Sequence, residues 1–275
     1  MRERWRRFRR SPNSMIGLAL FIGLLVMAAL APVIAPYDPI TINVRERLQS
    51  PSPAHLFGTD DFGRDIFSRV VWGSRLAVRL GTLSVVVALA GGIVLGLLAG
   101  YYRGWVDMVI SRFFEVILAF PYILFAIAIV AILGQSLDNL IVAVGIFGWA
   151  GYGRIIRGSV LATRQREYVE AARAVGARAR RIMVRHILPN VVAPVIILSA
   201  TRFGGALLAG SGLSFIGLGV PIPQPEWGAI MATGRDYLNV AWWITLFPGA
   251  LITLAVLGVN LLGDGLRDVL DPRLG

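Results

Sequence analysis

The chain has 275 residues, 56% of them hydrophobic and only 16% charged, with a mean hydropathy of +0.69 and a formal net charge of +11. An ordinary soluble domain carries roughly 25% charged residues, so this composition excludes a water-soluble globular domain and indicates an integral membrane protein. The chain has no cysteine, and all 27 of its basic residues are arginine. That excludes disulfides, thiolate metal sites, iron–sulfur clusters, cysteine nucleophiles, Schiff-base lysines and the P-loop lysine.

Any ATP that drives this protein must therefore be bound by another chain, and no cofactor is expected here. Only His55 and His186 are available as histidine ligands, so no metal site and no catalytic site are expected. The arginines cluster beside apolar segments, which fits control of membrane topology and not nucleic-acid binding.

A bilayer span needs about 20 apolar residues. Hydropathy places six spans, at residues 14–35, 80–101, 113–133, 140–156, 191–213 and 241–263. The first has a weak Ala29-Leu30-Ala31 cleavage match, but five further spans follow it and it is long enough to cross a bilayer, so it reads as a retained helix. The second carries Gly92, Gly96 and Gly100 at four-residue spacing, a small-residue face for close helix packing. Pro121 lies inside the third and is expected to kink it.

Arginine placement sets the orientation. Arg2, Arg4, Arg6, Arg7, Arg9 and Arg10 precede the first span, and nine arginines from Arg154 to Arg185 lie around the segment between the fourth and fifth. With six spans both clusters fall on one side, the cytoplasm, and both termini with them. The loop from residue 36 to about 75 balances five acids against five arginines, as expected of an exported loop. The expected organisation is residues 1–75 (arginine-rich N-terminus, first span and outer loop) followed by residues 76–275, a transmembrane domain with a cytoplasmic loop at 159–190.

That loop is the most informative stretch. Tyr168, Ala171, Ala172 and Val175 recur at helical spacing and form one apolar face, with Glu170 and Arg173 as an i, i+3 pair. Gly176 can end the helix in a left-handed conformation. A second amphipathic segment with Ile182, Met183, Ile187 and Leu188 follows, and Pro189 is expected to stop it before the fifth span. An arginine-rich helix lying on anionic lipid would account for the charge, but not for a glutamate and two alanines set just before a glycine, which suit a protein docking site.

Glu170-Ala171-Ala172, Gly176 and Ile187-Leu188-Pro189 resemble the EAA loop of bacterial ABC-importer permeases, with His186 a small departure from the usual aliphatic residue. Gly58-Thr59-Asp60, Gly63-Arg64-Asp65, Ser68-Arg69 and Gly73-Ser74-Arg75 resemble the segment before the second span in oligopeptide/dipeptide-type permeases. So do Leu118-Ala119-Phe120-Pro121, the Leu213–Gly219 run, Trp227-Gly228, the Asn260–Asp268 run and Asp271-Pro272.

The resemblance covers nearly the whole chain and is to the C-type member of the permease pair. It implies an all-α polytopic fold with six transmembrane helices and a coupling-helix loop, in the bacterial inner membrane. It also implies a homologous second permease, two P-loop ATPase subunits and an extracytoplasmic substrate-binding protein as partners, besides the lipid bilayer. The ATPase-coupling residues it implies are Tyr168, Glu170, Ala171, Ala172, Gly176, Leu188 and Pro189. The substrates it implies are dipeptides, oligopeptides or similar small solutes.

Arg202 stands near the middle of the fifth span, where an arginine costs about 2.5–3.5 kcal/mol or more on insertion scales. It therefore faces a watery cavity or a carboxylate, and Glu115 in the third span is one candidate partner. Both are candidate residues of the translocation path, with Arg202 favouring substrates that carry a free carboxylate, against a structural ion pair. The family often has an acid at the position of Gly210, so this chain lacks a negative charge there. Asp60, Asp61, Arg64 and Asp65 either contact the binding protein or pair with one another and with Arg69. A secondary transporter working alone would need more intramembrane acids than Glu115, and no nucleophile arrangement supports a membrane-embedded enzyme.

Overall fold

The structure is a computed structural model that describes residues 8, 9 and 11–270. Arg2, Arg4, Arg6, Arg7, Arg10 and Asp271-Pro272 lie outside the described residues. The described chain is helical: α1 Pro12–Ile34, α2 Ile66–Tyr102, α3 Gly104–Ala119, α4 Tyr122–Leu133, α5 Leu137–Thr163, α6 Glu167–Ala174, α7 Leu188–Phe215, α8 Trp227–Gly234 and α9 Trp243–Leu270. Five of these helices (α1, α2, α5, α7 and α9) contain stretches long and apolar enough to cross a membrane. Large apolar side chains such as Val33 and Ile132 stay about 80% exposed to the surroundings, as a lipid-facing or partner-facing surface requires.

The third span departs from expectation. Pro121 does not kink one helix; it separates two, and α3 and α4 meet at 95°. Proline pushes the residue before it out of the α region, and Phe120 is extended at φ −81°, ψ 136°. The direction taken afterwards follows packing: Ala126 and Val130 of α4 bury against Leu140, Ile141 and Val144 of α5. Six spans are reached only if this bent pair counts as one.

The most extensive helix pair is α2 with α5, and the glycine stripe explains it. A Cβ on Gly92 would press on Tyr152, on Gly96 would lie 2.7 Å from the Gly153 carbonyl oxygen, and on Gly100 would lie 2.7 Å from Val160 Cβ. The Trp149 indole N–H donates to the Val87 carbonyl at 2.8 Å across the same interface. Gly96→Leu is expected to destabilise this pair by about 1–3 kcal/mol through overpacking. A lowered thermal midpoint of the detergent-purified chain, with Gly96→Ala intermediate, checks it.

Helix α9 packs along α1, where a Cβ on Gly17 would meet the Leu262 amide at 2.5 Å and one on Gly258 would meet Leu20 Cβ at 2.6 Å. The loop between α1 and α2 is built around buried charge. Asp60, fully buried, accepts from Arg64 Nε at 2.6 Å and from the amides of Phe62 and Arg64, both at 2.9 Å. Asp65 caps α2 by accepting from the Ser68 amide at 2.7 Å and pairs with His55 at 2.9 Å. Arg64 pairs with Asp60 and Asp61, and Arg69 with Asp60, whereas the partner of Asp65 is His55. His55 is held by Asp65 and Glu46, and among the described residues no group of His and acids could hold a metal.

Sequence motifs far apart in the chain meet on this loop and on the first turns of α2. The Trp243 indole donates to the Thr59 carbonyl at 3.0 Å and the Trp227 indole to the Val70 carbonyl at 2.8 Å. A Cβ on Gly73 would lie 2.5 Å from Trp227. Residues 75 and 76 lie inside α2, so the N-terminal loop and the remaining helices share one continuous element.

Candidate functional site

Helix α6 forms the tip of the loop at 159–190. Its first turn carries Glu167 and Glu170 and its last turn Arg173, charges that suit the two ends of a helix dipole. Gly176 has φ +78°, and its amide donates to the Arg173 carbonyl at 3.0 Å while the Ala177 amide reaches the Ala172 carbonyl at 3.0 Å. This is the double-bonded glycine cap expected from the sequence.

The apolar face read from the sequence is largely uncovered in this chain, and another residue anchors α6. Tyr168 is 44% and Val175 83% exposed, and Glu170 and Ala171 are exposed too. The anchor is Val169, fully buried in a cluster with Val160 of α5, Ile182, Ile187 and Val191 of α7, against which Ala172 and Leu188 pack. Val169 and Ala172 are i, i+3 neighbours, a signal the broader Tyr168–Val175 stripe obscured. The Asn190 side-chain amide donates to the Tyr168 hydroxyl at 3.1 Å and to the His186 carbonyl at 2.7 Å, a positioning contact absent from the sequence reading.

Pro189 does not stop the helix. After one α-turn at Ala179–Arg181 the chain winds as a π-helix, Ile182–Ile187, and runs straight into α7, with Pro189 in the first turn of α7. The Leu188 amide reaches back to Met183. The wider turn moves the carbonyl that would clash with the prolyl ring, and the first turn of a helix needs no N–H there. Glu170 and Arg173 are not among the ion pairs of the described residues.

Tyr168, Ala171, Ala172 and Gly176 line an open groove of about 780 Å³ together with Arg178, Arg181 and His186. Glu170 stands exposed beside it, and Leu188 and Pro189 lie at the root of α7. The loop thus presents a small apolar, arginine-rimmed concavity on a helix tied by Val169 to the ends of α5 and α7.

Arg202 and Glu115 are not brought together. Glu115 is half-exposed on α3 and its carboxylate accepts from Arg112 at 2.8 Å, one turn away. Rotation of α3 and proximity of Arg112 decide its partner, which hydropathy alone did not reveal. Arg202 instead lies over Gly151, where a Cβ would be 2.5 Å from its Nη2, and lines a cavity of about 240 Å³ between α2, α4, α5 and α7.

A Cβ on Gly210 would lie 2.2 Å from Leu80 Cδ2, so a side chain there requires the end of Leu80 to move. A carboxyl nevertheless reaches this run. Glu226 is buried, accepts from Ser211 Oγ at 2.9 Å and caps α8 at the Ala229 amide at 2.8 Å. Burial pushes its pKa above the usual carboxylate range, partly offset by these donors.

A family model described as binding-protein-dependent transport system inner membrane component matches residues 92–275, a segment that includes the glycine stripe, the α6 tip and Arg202. The chain belongs to this family. A second model, the N-terminal TM domain of oligopeptide transport permease C, matches residues 1–51.

The chain is 46% identical over 273 residues to the dipeptide transport system permease protein DppC of Alkalihalophilus pseudofirmus, covering 99% of this chain and 90% of the relative. It is 45% identical to the glutathione transport system permease protein GsiD of Pectobacterium atrosepticum, covering 99% and 91%. It is 43% identical to the di/tripeptide transport system permease protein DppC of Pseudomonas aeruginosa, covering 100% and 92%. This inner membrane component is a multi-pass, all-α transport permease subunit.

Proposed function

We propose that this chain is the C-type permease subunit of an ATP-driven importer of peptides or similar small solutes. A homologous second permease shares the translocation path, two P-loop ATPases bind and hydrolyse ATP, and an extracytoplasmic binding protein delivers the solute. The loop at 159–190 and both termini lie in the cytoplasm, and the knotted loop after α1 faces the binding protein. Residues 76–275 are the permease domain, to which 1–75 adds a first span and that outer loop. This chain holds no ATP or metal of its own and performs no covalent chemistry.

The observation that carries the reading is the α6 tip. Tyr168, Glu170, Ala171 and Val175 are uncovered on a helix whose only fully buried residue is Val169, so the tip offers a ready surface to a partner. Tyr168, Glu170, Ala171, Ala172 and Gly176 form the contact with the ATPase, while Leu188 and Pro189 carry its movement into α7. When the ATPases close on ATP, α6 is displaced as a unit and its anchor drags the ends of α5 and α7. Those helices wall the Arg202 cavity, so ATPase closure becomes a change of access around it.

The test is purification of the full chain from its native membrane in mild detergent, followed by identification of co-purifying proteins and reconstitution into proteoliposomes. Co-purification of a second permease and P-loop ATPases, with ATP-dependent uptake of a dipeptide supplied with its binding protein, is expected. A chain that purifies alone and transports without nucleotide overturns the reading.

A further inference from the structure

The cavity between α2, α4, α5 and α7 has an unusual chemistry. Arg202, Tyr122 and Ser84 all line it, within an otherwise apolar wall that includes Phe147 and Gly148. The Tyr122 hydroxyl and the Ser84 hydroxyl are both buried without a hydrogen-bond partner. Among the described residues no hydrogen bond or ion pair holds Arg202, and no acidic side chain lines the cavity.

Buried polar groups in native proteins are ordinarily satisfied, and an intramembrane arginine faces a water-filled cavity or pairs with an acceptor. Here a cation and two hydroxyls, all able to donate, belong to residues that line one space, the hydroxyl oxygens sealed just behind its wall, and no acceptor is supplied to any of them. The volume, about 240 Å³, greatly exceeds the roughly 10–15 Å³ that one water needs. A planar carboxylate satisfies the set: it takes the guanidinium side-on with two bonds and accepts from hydroxyls at its remaining lone pairs.

We propose that this cavity is a carboxylate way-station on the translocation path, in which Arg202, Tyr122 and Ser84 hold the free carboxylate of a peptide in transit. The proposal rests on the importer reading above and names the substrate group that reading leaves open. Gly151 is part of the device. The guanidinium lies where its side chain would be, so Arg202 reaches across to the cavity without being displaced by α5.

The chain has no cysteine, so a single Ser84→Cys variant reports on the cavity alone. In the reconstituted complex, the thiol introduced by Ser84→Cys is labelled with an anionic sulfonatoethyl and a cationic trimethylammonioethyl methanethiosulfonate. Labelling of this chain is read by mass spectrometry in the nucleotide-free and ATP-bound states. Any effect of Arg202 on the thiol itself acts on both reagents, so their rate ratio isolates the field inside the cavity.

The anionic reagent is expected to be favoured by about tenfold or more over the ratio for free cysteine. Arg202→Gln should abolish that preference and Arg202→Lys retain it. Dialanine should slow the labelling, and its C-terminal amide should slow it less. A ratio unchanged by Arg202→Gln overturns the proposal, because a guanidinium already neutralised by the second permease gives that result. So does an introduced thiol that is unreactive in both nucleotide states, or the absence of a preference for dialanine over its amide. The same preparation is assayed for ATP-driven uptake, so an intact importer with a charge-blind cavity separates failure of this proposal from failure of the importer reading.

Discussion

Asp60→Ala is expected to destabilise the loop between α1 and α2 by about 3–5 kcal/mol, the penalty for stranding buried charge. Asp60 is fully buried, and Arg64 and Arg69 are each only 2% exposed. Arg64 Nε lies 2.6 Å from the carboxylate and Arg69 Nε 3.7 Å, while the nearest other acid, Asp61, is 4.0 Å from Arg64. Removing the carboxylate leaves two guanidinium groups side by side in the same pocket, and frees the amides of Phe62 and Arg64 as well. Asp60→Asn keeps an acceptor but loses the charge, so its loss should be smaller.

The knot also holds α9 through Thr59 and Trp243, so the damage spreads beyond the loop. Limited proteolysis of residues 36–65 in membrane vesicles, together with the thermal midpoint of the purified chain, measures it. Proteolysis and melting indistinguishable from wild type would mean that the buried ion pairs contribute little.

The residues that were legible in the sequence are those whose role is set by local geometry. Gly92, Gly96 and Gly100 fall on one face by the 3.6-residue period alone, and the close approach of α5 follows from their missing side chains. Gly176 reads as a left-handed cap because chirality penalises other residues there. Long apolar runs gave five spans directly, since the bilayer fixes their length.

What was not legible depends on tertiary placement. Pro121 forbids a continuous helix, but the 95° between α3 and α4 is decided by the surface α4 finds on α5. Pro189 reads as a stop until the π-helix before it is known. Glu115 and Arg202 look like partners by hydropathy, yet Arg112 stands one turn from Glu115 on the same helix. The cavity's orphan hydroxyls, Tyr122 and Ser84, come from helices far apart in sequence, so no spacing could announce them. Val169 was hidden for a simpler reason: on an eight-residue helix, two overlapping apolar stripes are equally good, and only packing chooses between them.

Glu170→Lys is expected to uncouple the transporter without unfolding it. Glu170 is exposed and holds no ion pair among the described residues, and surface substitutions of this kind change stability by only about 0.5 kcal/mol either way. Its cost therefore falls on docking. Reversing a central charge in an interface costs about 2–4 kcal/mol, or roughly 30- to 700-fold in affinity. ATP-driven uptake should fall by a comparable factor, while the thermal midpoint of the isolated chain stays near wild type.

Gly176→Ala offers an independent route to the same loss. It removes no contact, but a left-handed φ of +78° costs a residue with a Cβ about 1–2 kcal/mol. The cap that aims Tyr168, Ala171 and Val175 should therefore loosen. ATPase co-purification then weakens in both variants, through a lost contact in one and a misaimed helix in the other. If Glu170→Lys keeps full uptake and full ATPase recovery, the tip of α6 is not where this chain meets its motor.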